Sequence, residues 1–287
     1  MRPSAGRCTA ALGLVLALVM LMLNAACVLA NPIAPSFWAC DSDGRLFEVY
    51  AVMNYGSGNA SWFSNHVCDL PTYGSAGAGE IAHLLSGDIG VVQGRAGFPV
   101  VQKIMLDYSC STVGAPVADA RTYTGLETID GTLYAVDSPA GCGASSLWQL
   151  NPATGAALNV GPTGVGAIEG LAWDPAAHAL YGVTSCPPEA CTLVRIDRAT
   201  GHATAVGSTG IVGLASLDFT ADVLVGGTDG AHGGQLYRID PATGNATLMT
   251  SAPNQEITAF AGLSATGYGF IVPTRRPTWG HIKAQYR

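Results

Sequence analysis

The feature that most constrains the fold is a tandem repeat in the second half of the chain. The segments LWQLNPATGAALNVGPTG, LVRIDRATGHATAVGSTG and LYRIDPATGNATLMTSAP begin at Leu147, Leu193 and Leu236. Upstream of the second and third stand GLAWDPAAHALYGV, from Gly170, and GLASLDFTADVLVGG, from Gly213. Because order, spacing and turn residues recur together, the sequence predicts one structural unit repeated along the chain.

Each repeat is predicted to form four short antiparallel strands. In the third repeat, Tyr237 and Ile239 recur with the period of two that is typical of a strand. Pro241 then fixes φ near the start of a tight turn, and Gly244 supplies the positive φ that starts the next strand. A unit of roughly 43 residues with four strands and no helix is typical of a β-propeller blade.

The repeats therefore predict an all-β protein, a β-propeller of five four-stranded blades. A six-bladed alternative requires residues 50–80 to form part of another blade. The stretch from about residue 53 to 79 fits no repeat, and we expect an irregular insertion there, tied by cysteines. The propeller domain then covers residues 31–274, and a basic tail covers residues 275–287.

The two ends of the chain are expected to close the ring together. GRLFEV, from Gly44, parallels GQLYRI, from Gly234, which is a third strand of the repeat. The last repeat, from Glu256, supplies only two strands. We therefore predict that residues 45–49 pair with residues 269–272, because an unclosed ring would leave bare strand edges.

The repeat resembles the exported bacterial β-propeller-type repeat proteins, which carry an LYxIDPATG motif followed by VG. The resemblance covers about residues 124–272. It implies a propeller fold and implies no particular activity, since propellers host many unrelated functions.

The first thirty residues are predicted to be a signal peptide. Arg2 and Arg7 precede an apolar run over residues 10–23, and residues 28–30 form a small-residue cleavage site. The expected location is therefore secreted or periplasmic. The alternatives are a lipid anchor at the cell envelope through Cys27 and an uncleaved membrane anchor.

The charge of the chain limits its partners. The full sequence has a net charge of -7, with 13 basic and 20 acidic residues. An acidic surface excludes nucleic acid and anionic membrane surfaces as partners. We expect a monomer that binds a protein or a carbohydrate and has no membrane contact beyond the signal segment.

Cysteines in an exported chain predict disulfide bonds. Cys186 and Cys191 bracket the short segment PPEA, so we predict a bond between them. Three pairings stay open for the four other cysteines of the mature chain, which are Cys40, Cys68, Cys110 and Cys142.

Two groups of residues are candidates for chemistry. Glu80, Glu169 and Glu256 each precede the first strand of a predicted blade, and three carboxylates at one end of a propeller could hold Ca²⁺ or act as acid and base. Asp229 and His232 lie in a loop between strands and form a possible binding loop. The alternative for both groups is that they are separate, hydrated surface residues.

No catalytic sequence motif is present, while the loops between second and third strands vary in length and composition. The first hypothesis is an exported, non-enzymatic binding or scaffold module that uses these loops and needs no cofactor. The alternative is a calcium-dependent lactonase-like hydrolase or lyase that uses carboxylates in the central channel.

Overall fold

Antiparallel β-sheets make up the computed structural model of this protein. It describes residues 36–41, 44–53, 60–69, 81–83, 89–93, 100–104, 121–139, 142–220, 222–251, 260 and 262–265. These residues all belong to one compact unit that spans residues 34–287. The described strands form four four-stranded sheets and one three-stranded sheet.

The three sheets of the clear repeats have the same order. Sheet III contains β7 (Tyr123–Ile129), β8 (Thr132–Asp137), β9 (Ser146–Leu150) and β10 (Ala157–Pro162). Sheet IV contains β11 (Ile168–Asp174), β12 (Ala179–Thr184), β13 (Thr192–Ile196) and β14 (Ala203–Ser208). Sheet V contains β15 (Leu214–Thr220), β16 (Val223–Thr228), β17 (Gln235–Ile239) and β18 (Ala246–Ser251), and a short 3-10 helix (Gly230–His232) joins β16 to β17.

The remaining two sheets are less regular. Sheet I has the order β19-β1-β2-β3 and contains β1 (Ser36–Cys40), β2 (Arg45–Met53), β3 (Ala60–Asp69) and β19 (Gly262–Ala265). Sheet II is the three-stranded sheet and contains β4 (Ile81–His83), β5 (Ile89–Gln93) and β6 (Val100–Ile104).

The sheets are arranged as in a β-propeller, which confirms the predicted fold class at this level. The first strands contact one another, β7 with β11, β11 with β15 and β15 with β19, and β4 contacts both β7 and β19. Four of the blades are complete four-stranded antiparallel sheets. Connections between second and third strands therefore lie on one face of sheets III to V, which we call the loop face. The hairpin turns lie on the opposite face, the turn face.

The hydrophobic core lies between neighbouring sheets. Leu147 of sheet III packs in one cluster with Leu171 and Leu180 of sheet IV, and Leu193 of sheet IV packs in another with Leu217 of sheet V. All five are at most 1% exposed. Burial of one such leucine contributes about 1.5–3 kcal/mol, so the packing of each sheet on the next is a major source of stability.

A threonine joins neighbouring sheets through the same contacts in two repeats. The Thr163 hydroxyl donates to the Ser145 carbonyl over 2.8 Å, and the Thr163 carbonyl accepts from the Ala203 amide of sheet IV over 2.8 Å. Thr209 repeats this pattern, since its hydroxyl donates to Cys191 and its carbonyl accepts from Ala246 of sheet V. The TG that ends the sequence repeat is therefore an inter-sheet joint.

Residues 45–49 were predicted to pair with residues 269–272, and this prediction is wrong because other strands lie on both sides of them. Strand β2 lies between β1 and β3, so that Val49 is opposite Phe37 on one side and Ser64 on the other. It is β1 that pairs with the C-terminal strand, with Cys40 opposite Gly262. The prediction left out β1, which takes the position next to β19. Residues 269–272 lie outside the described residues.

Part of the expected irregular insertion is regular, because residues 60–69 form β3 and pair along their length with β2. The rest of the stretch, the signal segment over residues 1–30 and the tail over residues 275–287 lie outside the described residues. Within the part of the chain that the structure does describe, no helix has the length and apolarity needed to span a bilayer.

Candidate functional site

Four polar side chains from three sheets lie on the loop face, where Ser138 contacts Glu169 and Asp229 contacts His232. Ser138 follows β8 of sheet III, Glu169 lies at the start of β11 in sheet IV, and Asp229 and His232 lie in the loop after β16 of sheet V. We call this group the loop-face site. The sequence pointed to Glu169 and to Asp229 with His232 as separate candidates, and the fold brings them together.

Glu169 is the inner member of this site. The hydroxyl of Ser138 donates to Glu169 Oε1 over 3.1 Å. Burial raises the pKa of the Glu169 carboxyl above its ordinary value, the negative charge of Asp229 raises it further, and the Ser138 hydrogen bond works against this rise. The two carboxyls are therefore close enough for the charge of Asp229 to raise the pKa of Glu169.

His232 is held in place by the loop itself. Its Nδ1 lies 2.6 Å from Asp229 Oδ1, and its backbone amide donates to the same oxygen over 3.0 Å. Gly213 lies directly beneath the ring, since a Cβ atom at Gly213 would lie only 2.0 Å from His232 Nδ1. These contacts orient the imidazole, and 32% of the side chain is exposed.

A disulfide bond fixes two of the loops that border the site. Cys142, in the β8–β9 loop of sheet III, is bonded to Cys186, in the β12–β13 loop of sheet IV. The predicted Cys186–Cys191 bond is therefore wrong. Cys191 is buried at the end of its loop in the core between sheets IV and V, and it is a free thiol. Burial raises the pKa of this thiol, so it is a poor nucleophile.

The sequence predicted a local bond for Cys191 because it is only five residues from Cys186. Sequence spacing does not show which way the Cys191 side chain points. Its neighbours in the core include Leu193 and Leu214, whereas Cys186 is half-buried in the loop. Cys68 is also disulfide-bonded. Residue 110 lies outside the described residues.

A second carboxyl pair, Glu127 and Asp218, lies on the inner strands β7 and β15. The two Glu127 oxygens accept from the backbone amides of Thr128, over 2.8 Å, and of Trp173, over 2.9 Å. Burial raises the pKa of Glu127 well above its ordinary value, and the charge of Asp218 adds to this. The sequence repeat did not reveal this inner carboxyl pair. The strand registers place Leu126 and Leu217 at equivalent positions, and Glu127 and Asp218 directly follow these leucines.

The predicted calcium site is described only in part. Glu80 and Glu256 lie outside the described residues, so the structure places Glu169 alone. The described residues contain no group of three or more histidine, cysteine, aspartate or glutamate side chains arranged to hold a metal ion. What the described loop-face site offers is hydrogen-bond acceptors, an oriented imidazole and a carboxyl group whose pKa burial raises.

Comparison with known proteins gives no family for this chain. No protein-family model matches it, and no curated protein matches it. Among solved structures, the chain is similar to one in a nidogen/laminin complex, with 10% identity, a TM-score of 0.48 and coverage of 80% of this chain and 97% of that one. It is also similar to TolB from Acinetobacter baumannii, with 11% identity, a TM-score of 0.48 and coverage of 79% and 56%.

A gluconolactonase from Xanthomonas campestris is similar at 13% identity and a TM-score of 0.45, with coverage of 78% of this chain and 90% of that one. Since these identities are far below 25% and the TM-scores below 0.5, the named activities and partners of these proteins carry no argument for this chain.

Proposed function

We propose that this protein is an exported β-propeller that binds its ligand on the loop face, over Ser138, Glu169, Asp229 and His232. The observation that carries the proposal is the convergence of these side chains from three sheets. A binding site in a propeller needs variable loops on a rigid frame. Here the frame is the set of packed sheets, and the Cys142–Cys186 bond ties two of the loops together.

The expected ligand is a protein or a carbohydrate. The site presents acceptors and the Ser138 hydroxyl, which suit a ligand rich in hydrogen-bond donors. The acidic net charge of -7 argues against nucleic acid. We propose that the protein is a monomer. We also propose that its role is binding or scaffolding rather than catalysis.

The proposal also covers the location of the protein and the group of repeat proteins to which it belongs. A disulfide bond within the described residues supports an oxidising compartment, so we propose a secreted or periplasmic location, with a lipid anchor at Cys27 as the alternative. We also propose that the chain belongs with the exported bacterial repeat proteins that share the LYxIDPATG motif.

We further propose that the complete ring has five blades around a central channel, with sheet II as the fifth blade and with closure by the N-terminal strands. Two observations support this. Strand β4 contacts both β19 and β7, and β1 pairs with β19 in the register Cys40–Gly262 to Phe37–Ala265. A sheet that joins residues from both ends of the chain would make unfolding of the ring cooperative.

The alternative function is a calcium-dependent hydrolase or lyase that uses Glu80, Glu169 and Glu256. Calcium analysis of the purified protein separates the two functions. Stoichiometric calcium that EDTA removes, together with a lactone hydrolysis lost on removal, would replace the proposed binding role.

The proposal is tested by thermal-shift measurements with a panel of oligosaccharides and peptides. We expect a ligand that raises the melting temperature of the wild type and of the turn-face control Asp222→Asn. The same ligand should have no effect on a Glu169→Gln/His232→Ala double variant. A ligand whose effect survives in the double variant and disappears in the control would place the binding site on the other face.

A further inference from the structure

A small cleft lies on the turn face of sheet V, on the opposite side of the molecule from the loop-face site. Its volume is about 330 Å³, which is at the lower end of the range for sites that bind small molecules. Residues of β16, β17 and β18 and of the two hairpin turns of this sheet line the cleft. The cleft therefore belongs to a single blade.

Polar side chains converge on this cleft from two strands and a turn. Arg238 of β17 lies opposite Thr247 of β18, and both side chains are exposed. Asn245 lies in the turn between these strands, where its carbonyl accepts from the Asp240 amide over 2.9 Å. Among the described residues, the Arg238 guanidinium, the Thr247 hydroxyl and the Asn245 side-chain amide have no hydrogen-bond partner. Their donors and acceptors are therefore available to a ligand.

Asp240 provides a fixed acceptor at the same cleft. Its Oδ1 accepts from the Ala242 amide and its Oδ2 from the Thr243 hydroxyl, both over 2.9 Å. The Ala242 amide and then the Thr243 hydroxyl lower the pKa of the Asp240 carboxyl, and the nearby charge of Arg238 lowers it further. The cleft thus has charges of both signs, which suits a neutral ligand better than an anion or a cation.

Apolar surface lies between these polar groups. Leu224 of β16 lies opposite Ile239 of β17, and both are only 1% exposed. Val223 and Pro241 are half-buried and add apolar surface to the cleft. Apolar surface with a few convergent hydrogen-bonding groups is typical of small-ligand sites. A sugar ring matches this combination, because its C–H faces are apolar and its hydroxyl groups both donate and accept hydrogen bonds.

We propose that this cleft binds a single neutral sugar ring and is a second binding site, separate from the loop-face site. Arg238 and Asn245 donate to oxygen atoms of the sugar, and Asp240 accepts from its hydroxyl groups. The ring lies against the apolar surface of Val223 and Pro241.

Sheet IV supplies matched control positions for this site. Arg195 and Thr204 lie opposite each other there, as the arginine and threonine of the cleft do in sheet V. On its other side Arg195 lies opposite Tyr181, whereas the smaller Val225 lies opposite Arg238. Substitution of Arg195 therefore removes the same charge from the same position of the repeat, at a residue that does not line the cleft.

The test is isothermal titration calorimetry with methyl α-D-glucopyranoside, methyl α-D-galactopyranoside and methyl α-D-mannopyranoside. We expect saturable binding of at least one of these glycosides to the wild type. Arg238→Ala should weaken this binding by about tenfold or more, because hydrogen bonds from a charged group are lost. Arg195→Ala should leave it unchanged. Both arginines are exposed, so both variants should melt at the temperature of the wild type.

A second pair of variants removes one hydroxyl and no charge. Thr247→Val should weaken glycoside binding by about two- to tenfold, and Thr204→Val should have no effect. Tetrahydropyran, which has the ring and no hydroxyl groups, should not bind, because the polar groups of the cleft would be left without partners.

The inference is wrong if none of the three glycosides binds saturably, or if tetrahydropyran binds as tightly as the glycoside. It is also wrong if Arg195→Ala weakens binding as much as Arg238→Ala does. The loop-face variant Glu169→Gln/His232→Ala should bind the glycoside as the wild type does. Loss of glycoside binding in that double variant would place the sugar on the loop face, which would overturn this inference and leave the proposed function standing.

Discussion

Gly161 in strand β10 lies against the carbonyl oxygen of Thr200 in the turn of the next sheet. A Cβ atom at Gly161 would be 2.1 Å from that oxygen. Gly207 in β14 has the same relation to Thr243 of sheet V, also at 2.1 Å. The VG of one repeat is thus fitted to the ATG turn of the next, which explains why the two motifs recur together.

Gly161→Ala and Gly207→Ala should each destabilise the protein, since backbone would have to move to make room for the methyl group. Overpacking of this kind costs about 1–3 kcal/mol, which corresponds to a fall in melting temperature of roughly 2–12 °C for a domain of this size. Calorimetry of each variant measures this. Gly166→Ala is the matched control, because its nearest atom would be 3.4 Å away. A fall no larger than that of the control would show that the contact is not tight.

The disulfide bond gives a second prediction. Cys142 and Cys186 are 44 positions apart, so their bond restricts a long loop in the unfolded chain. Cys142→Ser should lower the free energy of unfolding by about 2–4 kcal/mol. Cys191→Ala should not affect the disulfide. Non-reducing peptide mapping of the wild type should find Cys142 joined to Cys186, and a Cys186–Cys191 peptide would contradict the structure.

The inner carboxyl pair predicts how stability depends on pH. The folded-state pKa of Glu127 is raised above its value in the unfolded chain, about 4.3, so the folded protein holds this proton more tightly. Its contribution to stability is complete below the unfolded pKa and is lost as the pH rises through the folded pKa.

Asp218→Asn removes one cause of this rise, so the decline in stability should be smaller and should end at a lower pH than in the wild type. Melting temperatures from pH 4 to pH 9 measure the profile, and Asp222→Asn, in an exposed turn, is the control. Identical profiles for Asp218→Asn and wild type would mean that the two carboxyls do not interact.

Much of the fold was predictable because the repeat has both strand alternation and turn residues. Asp240 accepts from the Ala242 amide over 2.9 Å, and Gly244 has φ of 83°, as the motif suggested. The pairing of the chain ends was not predictable in detail. Strand β1 has no repeat signature in the sequence. The similarity of GRLFEV to GQLYRI indicated that β2 is a third strand, but it did not reveal that β1 is the strand beside it.

For the loop-face site, the sequence indicated Glu169 and the Asp229–His232 loop as separate candidates and did not show that they lie on the same face. Asp229 and His232 are three residues apart, so their contact is local and visible in the sequence. Their meeting with Glu169 depends on how sheets IV and V pack, which no local pattern reports. Cys191 directly precedes β13, and its burial in the core between sheets IV and V keeps it away from Cys186.

The central claim is that the fold assembles Glu169 and Asp229 into one site. The most direct measurement is a ¹³C NMR titration of the glutamate side-chain carboxyls in wild type and in Asp229→Asn; the sequence has six glutamates, and Glu169→Gln identifies the resonance. We predict that Glu169 titrates above the ordinary value of about 4.3 and that Asp229→Asn lowers its pKa. A Glu169 carboxyl that titrates at the ordinary value and does not respond to Asp229→Asn would contradict the account.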